Sequence, residues 1–540
     1  MALTIDEYAA EFWDWRIRAQ PRSSDDILRV QRPAGWLPEL GPAAIAAHRD
    51  RRDAFEAALS QLENDKTDRP VADRVDLRLL RSALNRVTWE LDVVRTWAQP
   101  MTYVEAALGT VFDALLPARV DVAEVARFLR NVPAVVAAAE EVLPGVAQAE
   151  LADIAITALD GIRDRLARLT AAFAELDTDA AADSMEHLRA WLIELRPSLP
   201  PWQPVGRDAF DGFLRDVACI PMDSDELMAI GVREYQRACV LERLAANRNR
   251  DRPRPVRPAD AATQAARHAE DELAVRAFLE AEGLLSQPAS LRHYRNAPMP
   301  DYLRALSFLG VTDDLTGPDD PDADSTSYIP EPAADLPYFD AANADDPRAG
   351  IVHEGVHSQQ LALSWKHPRP VRRRYYDSTP NEGIAFYNEE MTLTAGLFED
   401  APHMRTVIYN FIRLRALRVR IDVGLASGAM SIPEAREALR TQIPVDSETA
   451  HEEAVFFAQT PGQAMSYQIG KTQILALLAD AGVARPELSL RELHDYLWLN
   501  GNVPIALLRW ELLGRTDEVD ETGAPRWGTR GAGDSYRQSL

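Results

Sequence analysis

A chain of 540 residues, 46% apolar and 26% charged, can bury a large core and has room for several domains. Its 84 acidic residues against 59 basic ones give a formal net charge of −25, which repels nucleic-acid phosphates and anionic lipid and argues against either partner. With two cysteines, Cys219 and Cys239, a disulfide framework and a cysteine-rich zinc site are excluded, and a reducing cytoplasm fits.

The chain opens on MALTIDEYAAEFWDWR, where Asp6 and Glu7 stand in place of the basic residues and apolar run of a signal peptide. The alanine-rich segments are broken by glutamates well short of the ~18 apolar residues that a membrane span needs. Helical periodicity then dominates. It predicts helices over 73–98, 122–142, 147–177, 183–195, 208–217, 224–248, 259–283, 385–398, 404–426, 432–441, 464–482 and 490–498. Ser224, followed by Asp225 and Glu226, marks one helix start, and Ser431-Ile-Pro-Glu434 marks another.

Between helices, RPRPVRPAD (252–260) has the composition of an exposed connector. The acidic, proline-rich stretch 317–350 is the longest without helical pattern, and within it STSYI and LPYF suggest short strands. Loops of this length are usually functional or disordered, and this one leads straight into VHEGVH, so it is expected to wall or cover a cleft; a solvated acidic loop is the plain alternative. The basic run 366–374 suggests a solvated turn. After Gly514 the composition becomes that of a loose terminus.

HEGVH places His353 and His357 four residues apart. On a helix both imidazoles project from one face and can meet at a point about 2 Å from each, the Zn–N distance. Glu354 lies one step round the helix, within reach of a water beside the metal but not itself a ligand. The bare motif arises by chance on the order of once in a hundred chains of this histidine content, so a third ligand is needed. Glu382 follows 25 positions after His357, enough for one helix to end, a basic turn to pass and a second helix to return. In NEGIAFYNEEM it can complete a His-His-Glu site, and Glu389, seven positions on and on the same face, can orient a ligand histidine.

The sequence resembles the bacterial domain-of-unknown-function family numbered 885. The resemblance covers about 204–515 and is carried by PVGRDAFDGFLR (204–215), the HE…H…Q stretch, NEGIAFYNEE (381–390), RALRVRIDVGL (415–425), TPGQAMSYQIGK (460–471) and LHDYLWLNGNVPIALL (493–508), in the family's order. It implies a mainly α, large multi-helix single fold with a deep cleft, distantly like thimet oligopeptidase and Taq carboxypeptidase, with a few short strands near 325–352. It also implies a zinc peptidase whose third ligand is a glutamate, which supports Glu382, and whose late-helix tyrosine, matched by Tyr467, faces the developing oxyanion. The chain departs from the family pattern HE-x-x-P-G-H-H-x-Q by lacking the Pro-Gly pair. Ala426 replaces a usual histidine and Ile384 a usual aromatic, so substrate preference does not carry over.

Three further residues are candidates for substrate contact: His494, Arg418 and Lys471. For His494 the structural alternative is a core histidine, and for Arg418 an ion pair with Asp422 at i, i+4; Lys471, directly after Gly470, can face the site or be structural. The expected organisation is a helical region over 1–203 that forms a lid or cleft wall, a metallopeptidase-like region over 204–515 and a loose tail over 516–540. The expected function is a zinc-dependent hydrolase of short peptides or small amides in the cytoplasm, with one Zn2+ per chain and no nucleic-acid or membrane partner. The alternatives are a metal-dependent hydrolase or lyase of a specialised non-peptide metabolite, or a scaffold that binds without catalysis.

Overall fold

The computed structural model describes residues 3–22, 31–65, 68–315, 317–443 and 445–519. Most of the tail expected over 516–540 lies outside the described residues. The architecture is mainly helical, with one small three-stranded sheet. Several helix starts are fixed by reciprocal capping, in which a short polar side chain accepts from the third helical amide while a glutamate reaches back. Thr4 with Glu7, Asp223 with Glu226, Ser431 with Glu434 and Ser489 with Glu492 all do this. The cap at 223 lies one residue before the expected Ser224, whose hydroxyl binds Asp211 instead.

Two helix pairs frame the interior. Ser224–Asn249 packs along Met404–Ser427, and Ser378–Ala395 packs along Ser466–Ala484. The second pair approaches backbone to backbone where Gly383 meets Gly470. A Cβ built on Gly470 would lie 2.0 Å from the Thr379 carbonyl oxygen and 2.7 Å from the Gly383 Cα. Neither neighbour is a side chain that can swing aside. Gly470→Ala is therefore expected to separate the two helices and to cost about 1–3 kcal/mol of stability as overpacking. Denaturant unfolding measures this, and an unchanged midpoint would show the close approach to be dispensable.

The sheet has the order β1-β3-β2. β1 (Tyr294–Pro298) and β3 (Ser325–Ile329) are parallel, and β2 (Asp313–Asp314) is antiparallel to β3. STSYI is thus a strand, as expected, and it touches the HEGVH helix through Ser325 and Ser358, whose hydroxyls are 2.5 Å apart. LPYF is not a strand. Tyr338 starts the helix Tyr338–Asp345 directly after Pro337, and the Tyr338 and Phe339 rings pack on Phe411 at 5.7 and 5.6 Å. Aromatic burial against a helix overrides the β propensity of that short run. The helix expected over 147–177 is broken at Gly161, whose φ of +64° ends one helix and opens the next.

The first 200 residues share cores with the rest of the chain. Tyr8, Phe12, Leu59 and Leu79 belong to the same buried cluster as Ile384, Phe386 and Trp498. The basic run 366–374 does not form the expected solvated turn. Arg372 is buried between Asp76 and Glu511, and Arg369 pairs with Asp73 and Asp76. These bonds tie the helix Val71–Thr88 to the turn linking the two halves of the HEGVH…NEG motif.

Candidate metal centre

HEGVH sits at a helix start rather than within a helix. A four-residue helix, Arg348–Ile351, follows Pro347 and ends in a turn. His353 takes the position before the helix Glu354–Trp365, with φ −110° and ψ −72°. The Asn388 amide donates to the Val352 carbonyl at 2.7 Å and fixes that turn. The break in the helix does not separate the rings: the His353 and His357 centroids are 5.0 Å apart and nearly perpendicular.

The second helix, Ser378–Ala395, is capped by Asp377 and returns across the first. Asn381 bridges them, donating to Gln360 at 3.1 Å and to Asn502 at 2.9 Å. This brings the Glu382 Oε2 within 3.3 Å of the His353 Nε2 and 3.4 Å of the His357 Nε2. All three residues are buried, and their donor atoms lie within 4.8 Å of one another.

Two observations test whether these residues fit a metal. Donor atoms of a tetrahedral zinc site with bonds of about 2.0–2.1 Å lie about 3.3 Å apart, close to the distances seen here. The Glu382 Oε2, in a carboxylate only 2% exposed, also has no hydrogen bond within the protein. A buried acceptor without a donor is costly unless something supplies positive charge. The set fits a cation. Burial works to lower the His353 pKa, but the Glu382 and Glu389 carboxylates and the nearby charge of Glu354 lift it to about 10. Burial likewise favours the neutral Glu382, and the two histidines hold its carboxyl well below the usual range.

The Glu389 Oε1 lies 2.7 Å from the His353 Nδ1, the far side of that ring, as the seven-residue spacing implied. The approach is close but off the N–H direction, so it is a charged contact rather than a well-formed hydrogen bond. Behind it the Arg415 guanidinium stands 3.5 Å from Glu389, enclosed by the Phe339, Phe386, Phe411 and Tyr467 rings.

Glu354 is half-buried, and its carboxylate has no hydrogen bond or ion pair to any described residue. The Tyr467 ring stacks on the His353 ring with centroids 6.1 Å apart and planes 15° apart, with Arg418 5.1 Å from its centroid. Arg418 pairs with Glu453 and not with Asp422. Asp422 instead accepts the Gly462 and Met465 amides at 2.9 Å each and so holds the loop leading to Tyr467. Burial raises its pKa to about 7, against the pull of those amides.

The structure does not bring His494 or Lys471 to the three donors. The His494 ring nitrogens are taken by the Leu284 carbonyl at 2.7 Å and the Tyr387 hydroxyl at 2.9 Å, and burial lowers its pKa. The Lys471 ammonium binds Glu390 at 2.8 Å above the Phe386 ring. Asn381, Asn388 and Gln360 carry part of the geometry and were not singled out from the sequence as site residues. One signal was present: Asn381 and Asn388 repeat the seven-residue spacing of Glu382 and Glu389 on the same helix.

A family model described as "Bacterial protein of unknown function (DUF885)" matches residues 28–287 and 312–512, which takes the match well into the first 200 residues. No curated protein matches the chain. Two solved structures share its fold. One, from Shewanella oneidensis, is described as "a putative lipoprotein of unknown function"; it is 15% identical with a TM-score of 0.69. The other, a "putative lipoprotein" from Colwellia psychrerythraea, is 14% identical with a TM-score of 0.70. Each comparison covers 94% of this chain and 99% of the other.

Proposed function

The chain belongs to this bacterial family of unknown function, and from that membership together with the three converging donors we propose that it is a zinc-dependent hydrolase of the peptidase type, acting on short peptides or small amides. The observation that carries the proposal is the buried, cation-sized gap between the His353 Nε2, the His357 Nε2 and the Glu382 Oε2. These three would hold the ion. Bound there, zinc would supply Lewis-acid polarisation of a scissile carbonyl and favour deprotonation of an attacking water.

The remaining chemistry belongs to side chains of the chain itself. Glu354, next to a ligand and without a hydrogen bond or ion pair among the described residues, takes the proton of the attacking water and returns it to the leaving amine. Tyr467, stacked on His353, donates its phenol to the oxyanion that forms. Glu389 holds the His353 ring from behind, and Arg415 keeps Glu389 in place. The distant likeness to thimet oligopeptidase and Taq carboxypeptidase implied by the sequence is consistent with this assignment.

Incubation of the purified protein with short peptides and peptide p-nitroanilides tests it. The expected result is cleavage that stops on chelation and returns with zinc. Stoichiometric zinc without cleavage of any amide would instead favour hydrolysis or elimination on a non-peptide metabolite. On location, the cysteine usage supports the cytoplasm, while the description of the two similar structures as lipoproteins supports the cell envelope. Fractionation of the native host decides between them.

A further inference from the structure

A cavity of about 230 Å³ opens at the start of the helix that carries Glu382, and none of the three donors lines it. Its wall includes Ser378 and Thr379, at the start of the helix that carries Glu382, and Gly462 and Gln463, in the loop that leads to Tyr467. Ser378, Glu382 and Glu389 are spaced by four and seven residues and so share one face of their helix. The cavity thus continues the same stripe, with Ser378 about 6 Å along the axis from Glu382 at 1.5 Å per residue. The Ser378 hydroxyl and Gln463 join the two walls through a 2.5 Å hydrogen bond.

Among the described residues, its charges are matched with one exception. Arg16 forks onto Glu90, Arg22 forks onto Asp113, and Arg86 pairs with Asp377. Glu105, which also lines the space, has a partner of its own. Arg374 lines it too, half-buried, and has no hydrogen bond, ion pair or ring contact to any described residue. Trp13, Trp89, Phe213, Tyr375 and Phe456 supply apolar surface. In a chain of net charge −25, a guanidinium with no partner among the described residues, on the wall of an aromatic-lined recess, selects anions against a repelling exterior. The volume lies below the ~300–1,000 Å³ of drug-sized pockets, so it suits a group of about one amino acid.

From these features we infer that the cavity binds a free carboxylate on an apolar or aromatic body of amino-acid size, with Arg374 as its counter-charge. This rests on the hydrolase reading, and names its substrates as short peptides or N-acyl amino acids with an unblocked carboxyl end.

Calorimetry with N-acetylphenylalanine and its neutral carboxamide, on full-length protein with and without zinc, tests the cavity apart from catalysis. The acid is expected to bind at least about tenfold more tightly than the amide, a typical worth for one charged contact. Arg374→Met should abolish that preference, and Arg374→Lys should restore part of it. Because Arg374 has no partner to strand among the described residues, both variants are expected to keep the wild-type melting temperature, which shows that they are folded. Equal binding of acid and amide, no binding of either, or an acid preference that survives Arg374→Met would overturn the inference. None of these bears on whether amides are cleaved, so the hydrolase reading stands or falls separately.

Discussion

Glu354→Gln is expected to lower kcat for amide hydrolysis by about 10²–10⁴-fold while the protein keeps its zinc. The substitution is nearly isosteric, and it removes the carboxylate proposed to accept and return the proton. Because the Glu354 carboxylate holds no partner among the described residues, no ion pair is broken and no buried donor is stranded. The fold and the metal affinity should therefore be those of the wild type. Turnover and elemental zinc, measured on one preparation, separate the two effects. Activity within a few fold of wild type would remove Glu354 as the base. Loss of zinc would mean that it acts as a ligand.

The second large effect is on the metal. Glu382→Ala leaves two imidazoles and a void, and zinc affinity should fall by more than the ~10–100-fold that follows loss of an outer partner such as Glu389. The metal-free variant should also be less stable. His353 and His357 lie 3.3 and 3.4 Å from the same carboxylate oxygen, and His353 favours its charged form in the protein alone. Removing that anion takes away one of the two carboxylates on a buried positive charge and leaves Glu389, 2.7 Å from the other ring nitrogen, so the cost should fall below the about 3–5 kcal/mol typical of a charge left with no partner. Competition with a chromophoric chelator reads the affinity, and denaturant unfolding in EDTA reads the stability. Glu389→Gln gives the contrast: a weaker affinity loss, because His353 keeps its place but loses its rear contact. Equal zinc binding by Glu382→Ala and wild type would remove the carboxylate from the site.

The short spacings within the site were legible in the sequence, although His353 stands just before the helix that carries His357 and not on it. His353 and His357 needed only i, i+4 spacing, and Glu389 followed from Glu382 by seven residues. Bringing Glu382 to the histidines required a guess that one helix returns across another, which the length of the intervening turn allowed. Tyr467 came from the family resemblance and not from local pattern, since nothing within a few residues of it points to His353. What stayed hidden was set by distant partners. The bridge from Asn381 to Gln360 and Asn502, the burial of Arg372 against Asp76 and Glu511, and the close approach of Gly383 to Gly470 each join segments far apart in the chain. His494 and Lys471 were weighed as groups that could face the cleft, and the partners they find instead are Leu284, Tyr387 and Glu390. The helix at Tyr338 was missed because its stability comes from Phe411, some 70 residues away in the chain.

The most direct test of the central claim is anomalous diffraction from zinc-loaded crystals, recorded on both sides of the zinc edge. The account predicts one strong peak per chain, about 2 Å from the His353 Nε2, the His357 Nε2 and the nearer Glu382 oxygen. A difference map with no peak there, or with the ion bound elsewhere, would contradict it.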